Sequence, residues 1–130
     1  LVTEATGGNL VMMCMALLWS SALLSSIVDN IPAVAALIPV LKVVAAQTHP
    51  GVADAWTHPE FSPVWWCLAL GACLGGNATL VGASANVVTA GLAERAGSAI
   101  SFMNYLKVGT PVTALTLVLA TVYIWLRYLL

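Results

Sequence analysis

The sequence predicts an all-α integral membrane protein: a re-entrant helical hairpin, a broken transmembrane helix and a final transmembrane helix. Three observations predict it. Hydrophobic residues make up 61% of the 130 and charged residues only 7%, where a soluble domain carries about 25% charged residues. Uncharged runs recur at bilayer length, about 20 apolar residues for a hydrocarbon core of roughly 30 Å. Two of these runs are interrupted by polar residues, proline or clustered glycines, and an interrupted helix at membrane depth survives only where it is buried in protein or lines a cavity.

Residues 1–9 read as a linker from a missing upstream part. No basic segment precedes a short apolar core there, so no signal peptide is expected and the chain reads as starting inside a longer protein. Residues 10–47 form the hairpin. Its arms, Leu10–Val28 and Ile31–Gln47, cannot be one helix, which would be about 57 Å long. The break falls at Asp29-Asn30-Ile31-Pro32. Pro32 favours the first turn of a new helix, and Asp29 or Asn30 can cap it. Two full spans would also satisfy this pattern. The short second arm, with Lys42 near its end, favours the re-entrant form. The arms are expected antiparallel, with the turn at Ser26–Pro32 near the break in the next helix.

Residues 48–63 form a polar loop containing His49, Asp54, His58 and Glu60. Their spacing matches no metal-ligand pattern, and the segment reads as a solvated loop. Residues 64–94 are too long and too glycine-rich for an ordinary span. Gly71, Gly75, Gly76 and Gly82 crowd the middle, and each costs a helix about 1 kcal/mol relative to Ala. The expected course is helix from Pro63 to Leu74, unwound chain within Gly75–Ser84, and helix again to Glu94. Residues 95–107 read as a loop with a short interfacial helix, and residues 108–130 as the C-terminal transmembrane helix. Trp65, Trp66, Tyr123, Trp125 and Tyr128 fall at run ends, as an interfacial aromatic belt requires. Arg95 and Lys107 assign their loop to the cytoplasm, which puts the loop with Asp54 and Glu60 outside, together with the C-terminus.

With a net charge of −1 the chain has no basic face for nucleic acid. Cys14, Cys67 and Cys73 are odd in number and lie in apolar runs; they read as packing residues rather than a disulfide framework. The apolar runs hold no Ser–His pair, metal motif or paired carboxylates, so no enzyme is expected. The chemistry falls to the two breaks. Asp29 is the one carboxylate with apolar runs on both sides, and an intramembrane carboxylate is functional by default. It can exchange a proton, bind Na⁺, or serve as a cap. Ser25, Ser26 and Asn30 are the candidate ligands beside it. Asn77, Thr79, Gly82, Ser84 and Asn86 mark the second break. Their oxygens and freed carbonyls suit a hard cation, with Ser26, Asn30, Asn77 and Thr79 the candidate Na⁺ ligands. The N–H groups opening the following half-helix suit an anion or a neutral oxyacid. A polar kink that merely packs helices is the plain alternative.

Ser25–Val40 resembles the outer re-entrant hairpin of the ion transporter superfamily, and Leu74–Val88 resembles the broken helix that follows it. Together with Gly91–Gly97 and the segment from Ser101 to Lys107, they most resemble the branch of arsenite permeases, the melanosomal P protein and NhaD-type Na⁺/H⁺ antiporters. The match covers residues from about 15 to the end. This resemblance implies half of an inverted-repeat, elevator-type carrier, each repeat giving one hairpin tip and one broken helix to the site. It implies a multi-pass protein of a plasma, inner or organelle membrane, homodimeric when complete. The implied partners are the bilayer, the upstream part and a small ion or oxyanion. No cofactor is implied beyond Na⁺ or H⁺ as coupling ion. Dicarboxylate carriers of the superfamily have Ser-Asn-Thr at this tip. Here Asn30 matches the Asn, Asp29 replaces the Ser and Ile31 the Thr, which favours a proton-coupling role for Asp29. The expected function is Na⁺/H⁺ antiport or ion-coupled transport of arsenite or another anion. The rival is a small non-transporting membrane subunit or assembly protein, which predicts continuous helices.

Overall fold

A computed structural model describes residues 9–130; the expected linker, apart from Asn9, lies outside the described residues. These residues form helices and turns with no strand among them. The helices are α1 (Leu10–Ser25), α2 (Asn30–Thr48), α3 (Ser62–Gly75), α4 (Ser84–Arg95) and α5 (Phe102–Ile124).

Asn9 caps α1, its side chain accepting from the N–H groups of Val11 and Met12. After Ser25 the chain turns in four residues. Asp29 caps α2, accepting from the Ile31 N–H at 3.2 Å. Pro32 sits in the first turn of α2, where a backbone N–H has no helical partner to lose. The turn is therefore shorter than expected from the sequence, and Asn30–Pro32 belong to the helix. Leu41, Val44 and Ala45 in the second half of α2 share a core with Met13, Cys14 and Leu18 from the first nine residues of α1. So α2 folds back antiparallel to α1.

α3 runs parallel to α1 and makes the closest helix contact among the described residues. Gly71 lies against Leu18 and Ser21, Gly75 lies against Ala22, and Ser25 Oγ donates to the Ala72 carbonyl at 2.7 Å. A Cβ on Gly71 or Gly75 would run into the α1 backbone. Small residues one turn apart are what lets two backbones approach this closely where no hydrophobic effect drives helices together.

α3 stops at Gly75 and helix resumes at Ser84. The two interruptions, 26–29 and 76–83, lie side by side at one level of the bundle. α5 then runs back past them. Thr110 Oγ1 donates to the Ala78 carbonyl at 3.1 Å, Leu117 borders Trp19 and Ala22, and Ile124 enters the core at the far end beside Cys14 and Val64.

One sequence expectation is corrected. Residues 95–107 hold no separate interfacial helix. Ser101 accepts from the Asn104 N–H and starts α5 at Phe102, so the segment to Lys107 forms its first turns. The polar loop 48–63 contains two 3₁₀ turns, Ala55–Thr57 and Pro59–Phe61, pinned by the buried Ala55 and Phe61. Helices α2 and α5, the latter with its π-turn to Leu129, are long and apolar enough to cross a membrane.

Candidate functional site

The two interruptions are stitched together by side chains from both. Ser26 presents its carbonyl to the Thr79 hydroxyl at 2.6 Å, and the same hydroxyl accepts from the Gly82 N–H at 3.0 Å. Ser26 Oγ donates to Leu23 within its own turn. Thr79 thus acts as a crosspiece between hairpin tip and helix break. Gly82 is buried, and its Cα faces the carbonyl oxygens of Gly76, Ser25 and Ser26. Asn86, one turn into α4, donates from its amide to the carbonyls of Gly76 and Thr79 at 3.1 and 3.2 Å. These bonds satisfy carbonyls freed by the break, as buried backbone requires.

Asp29 is the centre of the arrangement. One carboxylate oxygen accepts from the Ile31 N–H and so caps α2. The other accepts from the Ser84 N–H at 2.8 Å and from the Ser84 hydroxyl. One carboxylate therefore closes the N-termini of two helices, each the positive end of a helix dipole. The sequence expectation treated cap and functional carboxylate as rival roles. In the structure the cap is made twice over, once to each interrupted element.

The structure thus brings Ser25, Ser26, Asp29, Thr79, Gly82, Ser84 and Asn86 into one connected network. The remaining two sit at its edges. Asn77 donates to the Cys73 carbonyl and faces a cleft of about 340 Å³ lined by α5. Asn30 borders a different hollow, with Ile31, Val34, Ala35, Ile38 and Cys73. Of the four expected Na⁺ ligands, Ser26 and Thr79 are joined directly, through the Ser26 carbonyl rather than its hydroxyl. Sequence reasoning missed the contribution of α5. Asn104, Tyr105, Val108, Gly109 and Thr113 line the Asn77 cleft, and the Thr113 hydroxyl is buried without a partner among the described residues. The signal was present: these positions recur at the i, i+4, i+5 spacing of one helix face.

These features define an apolar, all-helical membrane domain built on two interrupted helical stretches. The chain matches the arsenical pump membrane protein family over residues 2–126, and it belongs to that family. Two uncharacterized transporters of Mycobacterium tuberculosis are 46% and 49% identical to it, each over 97% of this chain and 28% of their own length. The P protein of Mus musculus is 42% identical over 87% of this chain and 13% of its own length. The chain thus spans less than a third of the curated relatives it matches. No solved structure matches it significantly.

Proposed function

We propose that this chain is the second repeat of a secondary active ion carrier of the elevator type, and that it supplies half of the ion site. The observation that carries the reading is the juxtaposition of hairpin tip and helix break, joined by the Ser26–Thr79 and Asp29–Ser84 bonds. α1 has 16 residues, about 24 Å of helix, which ends short of a full crossing of a ~30 Å core. This supports a re-entrant hairpin whose tip meets the break inside the bilayer. The interruption between α3 and α4 and the tight Gly82 loop favour a carrier over a small subunit of continuous helices.

In this reading Asp29 is the coupling group. The seat that an anion would take, at the N-termini of α2 and α4, is held by its carboxylate. A proton or Na⁺ arriving at Asp29 weakens its hold on Ser84 and frees the α4 N-terminus from the tip. Na⁺/H⁺ exchange uses that alternation directly. A second reading, proton-coupled movement of arsenite or another oxyanion, is favoured by the family's description as an arsenical pump. There, protonation of Asp29 opens the helix N-termini to the substrate.

Asp29→Asn retains the size and one acceptor but fixes the charge at zero. In proteoliposomes containing the complete transporter, this variant is expected to lose the pH and Na⁺ dependence of transport, with uptake reduced at least about tenfold, one 1.4 kcal/mol step. Ser84→Ala, which deletes only the hydroxyl donor, should retain transport at a reduced rate. An Asp29→Asn protein with an unchanged pH profile would end the coupling reading.

A further inference from the structure

We propose that His49, His58 and Glu60 bind a divalent transition-metal ion of the Zn²⁺ class, at the end of the molecule opposite the helix breaks. The sequence shows no metal spacing here, but the fold of the loop makes one. His49 is the C-cap of α2. Asp54 adopts a left-handed conformation, and its carbonyl accepts from both the N–H and the hydroxyl of Thr57. That turn carries the chain back, so that His58 stacks on His49 with ring centroids 5.5 Å apart. Glu60 lies in the next 3₁₀ turn, which is anchored by buried Phe61 and, through Phe61, by Trp65. Trp65 in turn donates to the Trp56 carbonyl at 2.9 Å.

The Glu60 carboxylate oxygen is 3.5 Å from His49 Nε2 and 4.0 Å from His58 Nδ1, and all three ligand atoms lie within 4.8 Å of one another. Ligand atoms around a tetrahedral Zn²⁺ are about 3.3 Å apart, given metal–ligand distances near 2.0 Å. His58 and Glu60 are exposed, so their side chains are free to close that difference. Two imidazoles and one carboxylate leave a fourth position for water, a donor set suited to Zn²⁺.

The hydrogen bonds around His49 point the same way. Thr48 Oγ1 donates to the Ala45 carbonyl at 3.0 Å, and that uses its one proton. Its 3.1 Å contact with His49 Nδ1 is then one in which Nδ1–H donates and the hydroxyl accepts. In that tautomer the Nε2 lone pair faces the Glu60 carboxylate oxygen, the orientation a metal ion bridging the two would use. The Thr48 hydroxyl also serves as the outer partner that holds a metal-bound imidazole in its tautomer and orientation. The nearby Lys42 ammonium is placed over the Trp56 ring, 4.3 Å from its centroid.

A proton on His49 is the competing cation, and zinc titration separates the two. The complete transporter carrying Cys73→Ser, which removes the exposed thiol from competition, is stripped with chelator and titrated calorimetrically with ZnCl₂ in detergent. Co²⁺ absorption reports the ligand geometry. The expected result is a site whose affinity falls at least about tenfold in His58→Gln and in Glu60→Gln, both at exposed positions where folding is not at stake. Thr48→Val should weaken it about 10- to 100-fold, the usual effect of removing an outer-shell partner. Zinc binding that is absent, or equal in the parent, His58→Gln and Glu60→Gln, overturns the proposal and leaves an imidazolium–carboxylate pair.

Discussion

A methyl group at position 82 would sit 2.7 Å from the Gly76 carbonyl oxygen, 2.9 Å from that of Ser25 and 3.0 Å from that of Ser26. All three are backbone atoms, so nothing flexible can move aside. Gly82→Ala should therefore force the break away from the hairpin tip, at a cost of about 1–3 kcal/mol. A thermal-unfolding midpoint on the purified transporter, measured beside its uptake rate, tests this: a Gly82→Ala variant with unchanged stability and transport would mean that the two segments do not meet this closely. Gly82 was legible in the sequence as a residue of the second break, but its approach to the hairpin-tip carbonyls was not. Asp29 was legible as a lone carboxylate between apolar runs. Its bond to Ser84 was not, because 55 residues separate the two and the partner follows from the register of α1 on α3. The His49–His58–Glu60 group escaped the sequence for a related reason. The left-handed turn at Asp54 brings the histidines together, and no ligand spacing records a turn of that kind.

At the scale of elements, the interruption between α3 and α4 follows from local chemistry. Glycine crowding destabilises the helix, and Asn77, Thr79 and Asn86 supply donors and acceptors for the freed backbone. The helix boundaries accordingly fall within one or two residues of the expected Leu74 and Ser84. The start of α5 depends on a single serine cap, a weaker signal than the charge of Lys107 that suggested a boundary. The pairing of α1 with α3 tests what holds the bundle together. Gly75 meets the Ala22 backbone directly, whereas Cys73, two positions away, is exposed. Gly75→Val should wedge α1 off α3 and cost about 1–3 kcal/mol, while Cys73→Val should be near neutral. Equal stability of the two variants, read from thermal unfolding in detergent, would show that the α1–α3 contact contributes little. Ser25→Ala, which removes one interhelical bond, should cost only about 0.6 kcal/mol, the typical size of such bonds between membrane helices.

For the whole molecule, the two ends of the bundle make a prediction about the membrane. Leu10, Trp56, Tyr128 and Leu129 gather around the core at one end, so the start of α1, the loop 48–63 and the C-terminus share a side. The segment after Arg95 lies beyond the breaks, reached by α4, which buries none of its side chains within this chain. Val87, Val88 and Leu92 on α4, with Val108, Val112, Leu115 and Leu119 on α5, remain exposed. Apolar surface of this extent belongs against lipid or further protein. Single cysteines introduced at Val52 and Ser98, after replacing Cys14, Cys67 and Cys73 with alanine, should react with a membrane-impermeant maleimide from opposite faces of the membrane, Ser98 from the cytoplasm. The tip adds a sharper condition. Ile27 is 76% exposed in the chain, yet a re-entrant hairpin places it at mid-membrane, against lipid or the rest of the transporter. Ile27→Cys should then react far more slowly than Ser98→Cys. If it reacts as fast, and from the same face, α1 and α2 are two complete spans. Hairpin tip and helix break would then meet at the membrane surface, and an ion site sealed between them would lose its physical basis.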